Sequence, residues 1–487
     1  MPETARLTRK PELKQSTSGL RWQVAAISFA LITIAGAVRL AASWDNFWLD
    51  EIWSWQFAVS AKSYWQIATQ IPHDNNQILN TWAIYSFPAN AHWTLYRIPA
   101  VLAGLGAVIL AGLSGWIRSP CEGLTALLLT GTSFVFIQYS SEARGYAYLL
   151  FFVFLSVWLM QRIDQAPNSR DELLFGLSAS LGFLAHFLFV AAYAGLVVWS
   201  LISVMRHHRR WAARIGCWSR MHGVPFFTLA GLAICYGGKP IAGGGDRQNV
   251  FEIITQVGSL IIGGPNAGLF AATCSCAAIA ASIVGLVLLN RRADGVVYFV
   301  IGSTVTLALM IVIAATDLVY PRHFLVPMAC VLIVLSHLLA TAWTAGRWGK
   351  VFYFVAVGLM LTGNSIHTWS LLKYGRGAYE EAITFLNAES RDTITLGSDH
   401  DFRNPMVLGY YYRRLPNPKP LAYFPSNQWP PEGPEWLILH SFQQPATPRP
   451  TVQTSAGHRY QLIKVFPYYG LSGWNWILYK RSTPEKS

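Results

Sequence analysis

The sequence is short of charge. Only 13% of its 487 residues are Asp, Glu, Lys or Arg, while 53% are hydrophobic; soluble domains carry about a quarter charged residues. That deficit excludes an ordinary soluble globule. Cysteine is also scarce, with six in all, and each lies in or beside an apolar segment or in a loop expected on the inner side, so no disulfide framework is expected. Cys274 and Cys276 share one apolar stretch and read as small packing residues rather than a metal pair. There is no repeat of fixed short period, no low-complexity tract, and no phosphate-cradling loop, since "AGGGD" lacks the strand, helix and lysine that a P-loop needs.

What is present is a series of apolar segments of membrane-spanning length. The clear ones are 22–42, 98–117, 146–161, 187–205, 270–289, 295–315, 324–343 and 351–369. Shorter ones are 123–137, 173–186 and 224–237, giving about eleven spans. The first is too long for a signal-peptide core and no small-residue cleavage site follows it, so it reads as a retained anchor. The net charge of +13 suggests nucleic acid only until its distribution is read. Arg6, Arg9, Lys10, Lys14 and Arg21 precede the first span, and the clusters at Arg118, Arg162–Arg170, Arg206–Arg220, Arg291–Arg292 and Arg347–Lys350 fall in alternate loops. Positive residues collect on the cytoplasmic side. This predicts a cytoplasmic N-terminus, an extracytoplasmic C-terminus, a multi-pass plasma (inner) membrane protein, contact with anionic lipid, and no nucleic-acid partner.

Three regions follow: a tail over 1–20, a transmembrane region over 21–370, and a polar, proline-bearing region over 371–487. The last contains strand-like "DTITLGS", "EWLILHSF" and "NWILYKR" and helix-like "GAYEEAITFLN", which predict a small α/β domain outside the membrane. The first outer loop, 43–96, is long. Within it "DEIWSWQFAVSAKSYW" and "NQILNTWAIYSF" carry apolar residues at helical spacing and predict helices lying in the interface plane.

Ionisable residues near a bilayer tend to be functional and paired. Asp50, Glu51, Asp74, Glu142, Arg144, Lys239, Arg247 and Arg322 map to the outer side from four separate loops. Transfer of a sugar from a lipid phosphate to a hydroxyl needs two groups. One is a carboxylate base for the acceptor proton, and the other is a cationic clamp on the departing phosphate. Asp50 suits the base and Arg144 and Arg322 the clamp, because a guanidinium grips phosphate at two points. Bland readings stand beside these: Asp50 as a helix-start acid, Glu142 and Arg144 as a local ion pair, Arg97 snorkelling at a span end, His186 as a core histidine, and the aromatics as an interfacial belt.

These residues resemble the GT-C glycosyltransferases, polytopic enzymes that include protein O-mannosyltransferases and the aminoarabinose transferases of lipid A. "WLDEIWSW" resembles the acidic motif of their first outer loop, with Asp50 at the catalytic acid. "YSSEARGYA" (Tyr139–Ala147) is similar to a Tyr-Ser-x-Glu-x-Arg stretch, "YRIPAVLAG" (Tyr96–Gly104) to an Arg-x-Pro span opening, and "YPRHFL" (Tyr320–Leu325) to a late Arg-aromatic motif that contacts the lipid phosphate. The likeness covers roughly 20–370. It departs at "HDNNQILN" (His73–Asn80), which lacks the Pro-Pro pair of many relatives, and at His323, where tyrosine is common.

The resemblance implies a GT-C-like fold and an inverting transferase that uses a polyprenyl-phosphate-linked sugar, hexosyl or pentosyl, with a lipid, glycan or protein acceptor. Asp50 would be catalytic. Glu51, Asp74, Tyr139, Glu142, Arg144, Lys239, Arg247, Tyr320, Arg322 and His323 would bind substrate. No cofactor is required; clustered acids permit a divalent metal, but no ligand spacing demands one. The alternatives are a transporter or lipid flippase, which calls for mid-span charges, broken helices and internal repeats, and a polymerase or ligase of surface polysaccharide using lipid diphosphates.

Overall fold

A computed structural model describes residues 12–237, 249–314 and 319–482. Among them, eight helices are long and apolar enough to cross a membrane: Trp22–Ala42, Trp93–Trp116, Tyr146–Gln165, Phe189–His207, Leu269–Arg291, Val296–Ile313, Pro321–Thr344 and a last one that runs over Arg347–Tyr374. These are the eight clear segments of the sequence. The bent pair Pro120–Thr132 and Phe134–Ser140 makes a ninth. The bend of 62° falls at Ser133, which leaves helical geometry for one residue (ψ 117°), and the amide of Phe134 donates instead to Asn364 Oδ1 at 2.7 Å. A backbone donor released inside apolar surroundings needs such a partner.

The two remaining apolar segments are also helical but fall below the other nine. Ser169–Ala185 has only 17 residues, and Trp211–Tyr236 carries Arg214, Arg220 and His222 in its first half. Large side chains point outward all round the bundle, for example Phe227 at 73%, Leu269 at 86% and Ile313 at 80% exposure. Such a girdle is untenable in water and is what a lipid-facing surface requires.

At one end of the bundle the first loop folds into three short helices, Leu49–Ser60, Tyr64–Thr69 and Ile78–Tyr85. Leu49–Ser60 starts with Glu51 reaching back to the Trp48 amide at 3.4 Å, a capping arrangement that fixes its first turn. The sequence predicts this helix to lie at the lipid surface. It is instead largely covered by the C-terminal region: Ile52 is fully buried, and Trp55 meets the ring of Tyr410 edge-on at 5.1 Å. Trp44 and Trp65 keep the exposed positions of an aromatic belt.

The C-terminal region is one six-stranded sheet: β1 (Ile394–Ser398), β2 (Leu421–Tyr423), β3 (Trp436–Ser441), β4 (Thr451–Gln453), β5 (Arg459–Phe466) and β6 (Asn475–Arg481), in the order β2-β1-β3-β6-β5-β4. β1 runs parallel to β2 and β3, and the other pairs are antiparallel. Helices Tyr379–Glu389 and Arg403–Tyr412 pack between the sheet and the first loop, and Phe47, Trp48, Tyr96, Tyr379, Tyr411 and Trp476 share one apolar core. β1, β3, β6 and the first of these helices answer to the four segments the sequence predicts. β2, β4, β5 and the second helix carry too short or too polar a pattern to be seen in advance.

Candidate active site

Asp50 lies in the first turn of Leu49–Ser60, where the partial positive charge of the helix end favours an anion. Two guanidinium groups from remote segments meet its Oδ2 atom. Arg144, from the loop between Ser140 and Tyr146, donates through Nη1. Arg322, from the single turn Pro321–Phe324, approaches through Nη1 at 3.4 Å. The carboxylate is therefore flanked by two cations, and the group of three carries a surplus positive charge. Arg144 is held on all sides: Nη2 donates to Asn75 Oδ1 at 2.5 Å, Nε to Gln77 Oε1 at 3.5 Å, and its carbon sits 5.0 Å from the Tyr146 ring and 5.7 Å from the Trp48 ring. Burial alone would lower the Arg144 pKa, but Tyr146 and Asp50 raise it above the usual arginine value. Arg322 stacks on Tyr320 at 4.5 Å and is the more accessible of the two, with 22% of its side chain exposed against 3% for Arg144.

Behind this group lies a second network. Arg97 and Arg376 are both fully buried, and both bind Asp45. Arg97 also grips Glu51 with two bonds, Nε to Oε1 at 2.7 Å and Nη2 to Oε2 at 2.6 Å, and Glu51 Oε1 accepts from the Ala143 amide at 2.7 Å. Arg376 donates to the Ala42 and Gln138 carbonyls, to Ser141 Oγ and, through Nε, to Glu142 Oε1 at 3.1 Å. Three acids face two arginines, and burial pushes the Glu142 pKa up, offset in part by Arg376. The network pins the loop 141–145 from beneath and so fixes where Arg144 stands.

Of the residues singled out from the sequence, all but Lys239 and Arg247 lie among those described. Asp50, Arg144 and Arg322 come together. Tyr320 backs Arg322, and Tyr139 is buried with its ring 5.1 Å from that of Tyr146. His323 accepts from the Tyr320 amide at 3.3 Å and closes its own turn. Glu51 and Glu142 belong to the buried network. The oxygens of Glu51 are taken by Arg97, Ala143 and Trp48, a positioning arrangement rather than one open to a sugar. Asp74 is exposed and pairs with His73 Nδ1 at 2.8 Å. Lys239 and Arg247 lie outside the described residues. Arg97 is structural as expected, but by pairing in the interior rather than by snorkelling. His186 lies with its ring tilted 4.6 Å from that of Tyr146, beside the site rather than in a plain core.

Sequence reasoning missed Asp45, Asn75, Gln77 and Arg376. For Arg376 a signal existed. It sits between Gly375 (φ +63°) and Gly377 (φ +141°), and a Cβ on Gly377 would lie 2.3 Å from the Tyr379 ring. A cation bracketed by glycines just past the last span marks a tight, specified turn. A separate hollow of about 530 Å³, lined by Asp399, Asn427, Trp429 and His458 among others, lies in the sheet region and shares no residue with the Asp50 group.

No family model and no curated protein matches the chain. Its structure is similar to the crystal structure of an Archaeoglobus fulgidus oligosaccharyltransferase in complex with Zn and sulfate, with a TM-score of 0.46, 10% sequence identity, and coverage of 84% of this chain and 68% of that one.

Proposed function

We propose that this chain is a membrane glycosyltransferase of the GT-C type, moving a sugar from a polyprenyl-phosphate donor to an acceptor hydroxyl at the extracytoplasmic surface, with inversion. The observation that carries the reading is the meeting of Arg144 and Arg322 on one Asp50 oxygen. Those three residues come from segments about 90 and 270 positions apart. The donor's phosphodiester would compete with Asp50 for the two guanidinium groups, which match its free oxygens in charge and geometry. Once the arginines turn to phosphate, Asp50 is left as an ionised base.

The acceptor O–H then gives its proton to Asp50 while its oxygen attacks the anomeric carbon. The bond from that carbon to the phosphate oxygen breaks on the opposite face, and its electron pair stays on the polyprenyl phosphate. Arg144 and Arg322 stabilise that developing charge. Arg144 is preorganised by Asn75, Gln77 and the two aromatic rings, so little reorganisation is needed at the moment of transfer. A divalent metal fits poorly beside Asp50, because two cations already share that carboxylate and Glu51 and Glu142 are engaged by Arg97 and Arg376. No step is routed through one.

The test is transfer of labelled sugar from a synthetic short-chain polyprenyl-phosphate donor by purified enzyme in nanodiscs. Asp50→Asn is expected to lower turnover by at least about a thousandfold, in line with loss of a general base plus its electrostatics, while donor binding persists. Turnover near wild type in that variant removes Asp50 from the catalytic role.

A further inference from the structure

At the far end of the bundle, three helices bring one side chain each together. Glu172 lies in the first turn of Ser169–Ala185, His208 caps the end of Phe189–His207, and Cys217 lies two turns into Trp211–Tyr236. Each offers one ligand atom, and the three atoms lie within 4.8 Å of one another. The group is remote from the Asp50 site: Glu172 and His186 are fourteen residues apart on one helix, about 21 Å along its axis, and His186 is the residue beside that site.

Cys217 and Glu172 are almost wholly buried, at 1% and 2% exposure. The Nε2 atom of His208 is buried and finds no hydrogen-bond partner among the described residues. A buried imidazole nitrogen left without a partner demands an explanation. Thiolate, imidazole and carboxylate together form the donor set of tetrahedral zinc. The thiolate and the carboxylate would neutralise a dication. Arg220, on Glu172 Oε2 at 2.5 Å, would orient the carboxylate from outside while Oε1 faces the metal.

We propose that Glu172, His208 and Cys217 hold a zinc-class divalent metal that staples these three helices together, with water as the fourth ligand. Zinc-bound donors sit about 3.5 Å apart, as bond lengths of roughly 2.0–2.3 Å at tetrahedral angles require, so the side chains close by about 1 Å on binding. The thiol proton leaves to solvent as the sulfur–metal bond forms. The metal links the three helices and is separate from sugar transfer, and its water position leaves it more open than a zinc site closed by four protein ligands.

The experiment is metal analysis of the full chain, purified in detergent without a polyhistidine tag, together with cobalt substitution. Wild type is expected to carry about one zinc per chain, and its cobalt form to show a thiolate-to-metal absorption band. Cys217→Ser and His208→Gln are expected to lose at least about tenfold in metal affinity, the loss that follows even when only an outer-shell partner of a ligand is removed, and to lose the band. Asp50→Asn keeps both. Chelation is expected to lower the melting temperature of wild type but not of Cys217→Ser. Metal-free wild type with no cobalt–thiolate band overturns the proposal. So does zinc content that survives both ligand changes yet disappears in Asp50→Asn, since that places the metal at the other end.

Discussion

Replacing Arg376 by alanine is the sharpest test of how the site is held. The side chain is fully buried and makes bonds to five groups: Asp45, Glu142, the Ala42 and Gln138 carbonyls and the Ser141 hydroxyl. Its removal strands Glu142 with no cation in contact, while Asp45 keeps Arg97 at 2.6 Å. Breaking a buried pair by deleting one partner costs about 3–5 kcal/mol, mostly the uncompensated charge left behind. At roughly 2–4 °C per kcal/mol for chains of 150–250 residues, and less for longer ones, the melting temperature should fall by about 5–15 °C. The assay is thermal unfolding followed by tryptophan fluorescence in one detergent at one scan rate, because such melts are scan-rate dependent. Two companions sharpen it. Arg376→Lys keeps the charge but cannot reach five groups with a compact ammonium, and should lose about 1–3 kcal/mol. Arg376→Ala with Glu142→Gln removes the stranded charge and should recover on the order of 1–2 kcal/mol relative to Arg376→Ala alone. An Arg376→Ala protein that melts within a degree of wild type, or a double variant less stable than the single one, refutes the idea that this network carries the loop.

Glu142→Gln alone should be well tolerated, since the amide can still accept from Arg376. Because burial raises the Glu142 pKa, the folded state binds more protons than the unfolded chain above the ordinary glutamate value of 4.5; stability from this group is present at low pH and lost as pH rises through the folded value. The advantage of Glu142→Gln over wild type should therefore widen as pH rises above about 4.5, and a difference that is flat or narrowing with pH contradicts this. Glu51→Gln and Asp50→Asn should separate cleanly: the first breaks the doubly bonded, fully buried pair with Arg97 and should cost about 2–4 kcal/mol in melts, whereas the second should mainly remove turnover. Arg322→Ala should weaken binding of a polyprenyl phosphate at least about tenfold, given the 1.5–3 kcal/mol typical of charged hydrogen bonds; equal affinity by calorimetry excludes it from the clamp. Gly377→Ala forces a Cβ into the Tyr379 ring at φ +141° and should destabilise by about 1–3 kcal/mol, which parallel melts will show.

Much of this architecture was legible in advance because lipid imposes a simple rule. A span must satisfy its own backbone and show apolar side chains outward, so length and hydropathy suffice to find it. The eight clear segments reappear as eight membrane-length helices, and the three shorter ones are helical too. β1, β3 and β6 were visible as apolar runs bounded by turn residues. What was not legible is which charges pair. Glu51 and Asp50 are chain neighbours, but on the first turn of a helix they point to different faces, one to Arg97 in the interior and the other to Arg144 and Arg322. Glu142 and Arg144, which read locally as one ion pair, go to separate partners. Arg376 gave only a weak local sign, because its importance comes from residues more than 230 positions away.

The sequence alone determined that this chain spans a membrane, carries a small sheet-bearing region after its last span, and gathers acids and arginines in the connecting loops. Periodicity and hydropathy are properties of short windows, and those features need nothing more. Only the tertiary structure decided that Asp50 shares one oxygen with two arginines, that Glu51 and Glu142 are held back from it, and that the C-terminal region covers the first-loop helix instead of leaving it to lipid. Ion pairing depends on distance in space, and segments remote along the chain come within reach of one another only when the bundle closes.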